Sequence, residues 1–164
     1  MTQIEAFTKE LENEAKTTRK MLSAIPTDKF GWKPHEKSMT IKRLASHIAE
    51  LPTWVGMAFT TSELDFEKNP YQVEDVNTTE ELLDYFERCV EDARKHLKIG
   101  KEEALGEMWT LRSGATIYST EPKWEVLRMA MSQIIHHRAQ LGVYLRLLDV
   151  KIPGSYGPSA DESF

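Results

Sequence analysis

Apolar residues recur every three or four positions in four separate stretches of this chain, and the joining segments carry the Pro, Gly and Asn. That spacing lines one face of an α-helix, so each stretch reads as an amphipathic helix that must hide its stripe against another. The first runs roughly from Thr2 to Ala24, with Ile4, Phe7, Leu11, Ala15 and Leu22 on one side and Pro26 as its stop. The second runs from about Thr40 to Thr61, with Ser38 or Thr40 able to cap it and Ile41, Leu44, Ile48, Leu51, Val55 and Phe59 facing inward. Pro52 falls inside that pattern and predicts a kink. The third opens at Thr78, where Thr78 and Glu81 have capping-box spacing, carries Leu82, Phe86, Cys89, Ala93 and Leu97, and stops at Gly100. The fourth extends from Pro122 to about Asp149 along Leu127, Ala130, Ile134, Leu141, Leu145 and Leu148.

Between the third and fourth helices, β-forming residues flank Ser113-Gly114 from Trp109 to Tyr118, which predicts a short hairpin packed on the helices. The tail from Ile152 to Pro158 reads as an ordered loop. The fold class is therefore all-α: an antiparallel four-helix bundle with a short β-hairpin between the third and fourth helices, in one domain over residues 1–164.

Composition narrows the function. No apolar run is long enough to span a bilayer, and the opening residues, charged from Glu5, do not read as a secretory signal. A lone cysteine, Cys89, excludes a disulfide scaffold and a cysteine-rich zinc module and suits a reducing cytoplasm. Net charge is -5, and Glu63 to Glu107 holds 14 acidic and 6 basic residues. Phosphate backbones repel such a surface, which excludes nucleic acid as the expected partner, and nothing indicates a membrane.

The chemistry then rests on five histidines: His35, His47, His96, His136 and His137. His47 lies three residues after Leu44 and four before Leu51, on the inner face of the second helix. On the fourth helix His137 falls roughly 50° from the apolar centre and His136 roughly 150° away, so His137 points inward and His136 toward solvent, a loop or a subunit contact. Gln133, His137, Gln140 and Tyr144 form a polar line beside the apolar face, costly unless paired, wet or metal-bound. An inward histidine is more often a hydrogen-bonded core residue than a ligand, and the chain has no Glu-x-x-His or His-Glu-x-x-His. His35, after Pro34, reads as a loop residue, and His96 as a helix-dipole contact near a C-terminus.

The segment Ser132-Gln133-Ile134-Ile135-His136-His137-Arg138-Ala139-Gln140-Leu141 resembles the DinB-like (DinB/YfiT-type) family. Leu44-Ala45-Ser46-His47-Ile48-Ala49-Glu50, with Trp54 seven residues after the histidine, resembles that family's first histidine segment, and the tail from Pro153 to Glu162 resembles that of a subset. The resemblance spans nearly the whole chain. It implies a four-helix bundle, often a homodimer, in which three histidines hold a divalent metal such as nickel or zinc. His47 and His137 match two of those positions; the third, four residues before His137, is Gln133. Glutamine ligates zinc or nickel more weakly than imidazole. Three outcomes stay open: Gln133 ligates, a water replaces it, or the site is weak or empty. The family name refers to induction by DNA damage and implies no DNA binding. Some members transfer a low-molecular-weight thiol to an electrophile and others isomerise thiol adducts.

The expected function is thus a metal-dependent enzyme acting on a small molecule or thiol, a thiol transferase or hydrolase, with His47, His137 and Gln133 as metal-site residues. The alternative is a non-catalytic, stress-associated bundle that binds a small ligand or only dimerises. Cys89, between Phe86 and Ala93, reads as a buried structural thiol. Arg138 is a candidate partner for Glu50, although a surface salt bridge would explain it as well. Asp161 and Glu162 read as a solvated pair. Trp54, Met57 and Tyr144 are candidate pocket walls, and Ile135 and Met131 a candidate dimer stripe.

Overall fold

The computed structural model describes residues 1–162. Five α-helices and a three-stranded sheet are present among them: α1 (Gln3–Ser23), α2 (Ile41–Glu50), α3 (Thr53–Thr60), β1 (Glu63–Asp65), α4 (Thr79–Ile99), β2 (Met108–Ser113), β3 (Thr116–Pro122) and α5 (Lys123–Leu147). Both α1 and α4 start at threonine caps. Thr2 Oγ1 accepts from the Glu5 amide, and Thr78 Oγ1 accepts from the Glu81 amide, at 3.1 Å each. The box predicted at Thr78 is only half closed, because Glu81 reaches the amide of Asn77 instead, at 2.7 Å.

The second predicted helix is two helices. Pro52 has no N–H to give the carbonyl of Ile48, and the ladder breaks there. The Trp54 amide turns to the carbonyl of Leu51 at 3.1 Å, and the Thr53 hydroxyl donates to the freed carbonyl of Glu50 at 2.7 Å. The break also divides the core. Ile41, Leu44 and Ile48 of α2 pack with Leu22, Phe86, Val90, Leu141 and Leu145. Leu51, Val55 and Ala58 pack with Leu11, Ala93, Leu97, Leu127, Met131 and Trp109. Each fully buried leucine contributes about 1.5–3 kcal/mol relative to exposure, so both halves bind strongly to α4 and α5, which run beside each.

The strands form one sheet in the order β1-β2-β3. β2 and β3 are antiparallel, and β1 lies parallel to β2 with Leu64 opposite Leu111. β1 has only three residues, too few to show periodicity in the sequence. Asp65 Oδ1 accepts from the Gly114 amide at 2.9 Å, tying β1 to the turn between β2 and β3, where Gly114 has φ +54°.

The tail corrects another expectation. Asp161 and Glu162 are not simply solvated: Asp161 pairs with Arg146 at 2.5 Å and accepts from the Ile152 amide at 3.0 Å, and Glu162 accepts from the Gly154 amide at 2.8 Å. Met131 is fully buried in the monomer and is unavailable as a dimer residue; Ile135 is half-buried. No described helix is long and apolar enough to cross a membrane.

Candidate functional site

Two helix faces and one loop build the site. On α2, Arg43, His47 and Glu50 follow at spacings of four and three, so their side chains leave on one side. On α5, Gln133, His137 and Gln140 do the same. The loop between β1 and α4 brings in Tyr71.

The rings of His47 and His137 meet across the two helices with centroids 4.8 Å apart and planes at 68°. Each is held from behind through Nδ1: His47 by Glu50 Oε1 at 2.5 Å and His137 by Gln140 Oε1 at 2.9 Å. A carboxylate and an amide oxygen only accept, so Nδ1 donates in both rings and the lone pair is left on Nε2. Burial, more than the neighbouring His47, His136 and Arg43, holds the His137 pKa below the usual imidazole value, against the raising effect of Gln140. The imidazole is therefore neutral at pH 7, the form that ligates.

Glu50 is 8% exposed and is shared. The same Oε1 accepts from the Tyr71 hydroxyl at 2.5 Å. Tyr71 has a 45% exposed residue surface, but its hydroxyl is turned inward; desolvation first, and then Glu50, push its pKa up to about 12. Arg43 donates to the Tyr71 oxygen at 2.9 Å and lies over its ring at 4.6 Å. These groups open on a cleft of about 450 Å³, walled by Trp54, Met57, Phe66 and Tyr85, with His47 on its floor. His137 meets His47 from the α5 side and is not part of the cleft wall.

His136 is exposed, with its ring 4.9 Å from that of His137. Gln133 is half-buried one turn before His137. No three His, Cys, Asp or Glu side chains among the described residues converge as a metal site. The imidazoles that do meet across α2 and α5 are two, His47 and His137, with Gln133 one turn before His137 on α5. His96 bonds the Asp92 carbonyl at 2.9 Å in the last turn of α4, and His35 accepts from the Lys37 amide in a loop, so both stand in structural roles.

Three expectations change. Arg138 does not meet Glu50. It is 2% exposed and pairs with Glu14 at 2.6 Å, with Thr18 and Tyr156 also in reach. Position 138 faces α1 and the tail, whereas Glu50 faces the cleft. Tyr144 stacks edge-on with Trp32 rather than lining the cleft. Tyr71 and Arg43 belong to the site and were absent from the sequence reading. Arg43 was open to detection, since it stands four residues before His47; Tyr71 carried no signal, because a loop has no period.

A larger cleft of about 490 Å³ lies between α5 and the tail. Its wall holds no imidazole, thiol or carboxylate, so it offers little chemistry.

The fold and site define a mostly helical domain with a small mixed sheet and a cleft lined by His47, whose ring meets that of His137. The chain belongs to the DinB family, whose family model matches residues 1–163. Uncharacterized protein YrdA of Bacillus subtilis is 23% identical over 163 residues, covering 97% of this chain and 91% of that protein. A DinB-like protein from Bacillus cereus ATCC 10987 superposes with a TM-score of 0.72 at 20% identity, over 95% of this chain and all of its own. A mycothiol-dependent maleylpyruvate isomerase superposes with a TM-score of 0.63 at 18% identity, over 87% of this chain and 63% of its own. At these identities the structural likeness speaks to the fold.

Proposed function

We propose that this protein is a metal-dependent enzyme of the DinB type, a thiol transferase or hydrolase acting on a small molecule. The carrying observation is the pair of imidazoles, each oriented through Nδ1 with Nε2 left free. An outer hydrogen bond of this kind fixes the tautomer and raises ligand basicity. The isomerase among the fold's neighbours is consistent with an enzyme built on this framework. Taking α2 and α3 as one broken rod, the framework reads as a four-helix bundle.

His47 and His137 would hold the cation, nickel or zinc by donor type, with Gln133 or water beside them. A bound divalent cation supplies Lewis acidity toward a thiol or a water. The residues supply the rest. Glu50 orients His47 and Gln140 orients His137. Tyr71 keeps one edge of Glu50 satisfied by donating its hydroxyl hydrogen to it. Trp54, Met57 and Phe66 keep water from the apolar part of a ligand.

The test is metal per chain in untagged protein, by elemental analysis. One equivalent is expected in the wild type, with His47→Ala and His137→Ala each reducing occupancy about tenfold or more. Near-zero content in all three would remove the reading.

A second reading, a non-catalytic bundle that binds a small ligand or only dimerises, draws on the lack of a third charged or imidazole ligand among the described residues. Gln133→His separates the two. A sharp rise in metal affinity without any gain in thiol addition to electrophiles favours the second. A homodimer fits either reading. Ile135 is half-buried, and Val143 and Leu147 are about 60% exposed at later four-residue steps of α5. Sedimentation at 18.9 kDa would refute a dimer.

A further inference from the structure

Arginine pairing singles out one residue. The chain has eight arginines, and seven of them, Arg19, Arg88, Arg94, Arg112, Arg128, Arg138 and Arg146, each reach a carboxylate. Arg43 reaches none among the described residues. Its recorded partners are the Tyr71 hydroxyl oxygen and the Tyr71 ring, and together these hold the guanidinium at the cleft wall.

A guanidinium has five N–H donors in a planar fork, and Arg43 uses one of them on Tyr71. The donors left over match a carboxylate, which accepts two at once. Among the described residues, Arg43 and Glu50 are the only charged ones on the cleft wall. Glu50 does not satisfy Arg43 directly. Its Oε1 is taken by His47 and by Tyr71, so its charge is engaged on the cleft floor. The rest of the wall is aromatic or apolar apart from Thr53 and Gln72. The cleft thus sets one guanidinium with spare donors beside a mostly apolar and aromatic lining that also includes His47.

We infer that Arg43, held by Tyr71, is the specificity-determining residue of this cleft, and that its ligand is a small organic anion: a carboxylate set on an aromatic or apolar body. The carboxylate lies on Arg43, and the body lies along Trp54, Met57 and Phe66. The inference rests on reading this cleft as the working site, but it does not require the cation.

Binding of phenylacetate, phenylpropionate and phenylbutyrate, each beside its matching phenylalkanol, tests it by calorimetry. The protein is first treated with EDTA, so no metal contributes. At least one acid should bind the wild type about tenfold or more tighter than its alcohol. Arg43→Gln should erase that preference while leaving the alcohol's affinity within about twofold, and Arg43→Lys should retain part of it, since the charge stays and the fork is lost. Tyr71→Phe should weaken the acid by a few-fold through the lost anchor. Arg94→Gln removes the same charge at the α1–α4 surface and should change nothing. Thermal melts confirm that each variant is folded. Equal affinity for acid and alcohol, a preference that survives Arg43→Gln, or no acid binding below about 10 mM each overturns the inference. Metal analysis of untreated protein is read separately, so an absent metal with an intact acid preference removes the proposed chemistry and leaves this inference standing.

Discussion

Cys89 is a free thiol enclosed by the helix packing. Its side chain is buried on α4, and desolvation, ahead of every other influence, pushes its pKa up to about 12. The thiolate is the reactive form, so native protein at pH 8 should be alkylated by iodoacetamide about a hundredfold or more slowly than urea-unfolded protein. Equal rates would show that the thiol is accessible. His47 makes the opposite case at the same scale. Its chemistry depends on the three-residue step to Glu50, which the helix puts within hydrogen-bond reach. That pairing was legible in principle from spacing alone; the pairing of Arg138 was not, because its partners lie on α1 and the tail.

Among elements, breaks decide more than propensities. The ends of α1, α4 and α5 fall close to the limits that periodicity, caps and stops predict, because those signals act within a few residues. Pro52 marks the break between α2 and α3 equally well, but not its consequence: α2 anchors one half of the core and α3 the other. β1 is the opposite kind of element, made by β2 rather than by its own three residues. The turn that β1 reaches depends on Gly114, whose positive φ an L side chain adopts only with strain, and a Cβ there would also meet Glu67. Gly114→Ala should lower stability by roughly 1–2 kcal/mol in urea unfolding. An unchanged midpoint would show that the turn relaxes freely.

At the scale of the molecule, the tail is fastened by two charge clusters. Arg138, Glu14 and Thr18 join α5 to α1 out of water, and the exposed Tyr156 ties the tail to them through its hydroxyl. Arg138→Ala would leave the buried Glu14 carboxylate without its counter-charge, held only by the Tyr156 hydroxyl, and should cost about 3–5 kcal/mol, whereas Arg138→Met together with Glu14→Leu should cost far less. Thermal or urea unfolding of the single and double variants decides this, and equal losses would refute it. The second cluster is more exposed and depends on pH. Arg146, and then the Ile152 amide, hold the Asp161 carboxyl below the ordinary range. A group lowered in this way contributes stability above its unfolded pKa, about pH 4, and loses it as pH falls through the lowered value. Exchange of the Ile152 amide, corrected for intrinsic rate, should therefore speed up relative to the core below about pH 4. A constant ratio would show that Asp161 does not hold the tail.

Sequence alone determined the helical stripes, most of their ends, the β2–β3 segment, the family and the inward setting of His47 and His137, because each follows from contacts within a few residues or from a local motif. Tertiary structure decided that the two imidazoles meet, that Glu50 and Gln140 aim them, that Arg138 is spent on Glu14, and that Tyr71 holds Arg43 at the cleft. Those outcomes depend on which faces pack across distant parts of the chain. Periodicity tells which way a side chain leaves its helix, but not what stands opposite it.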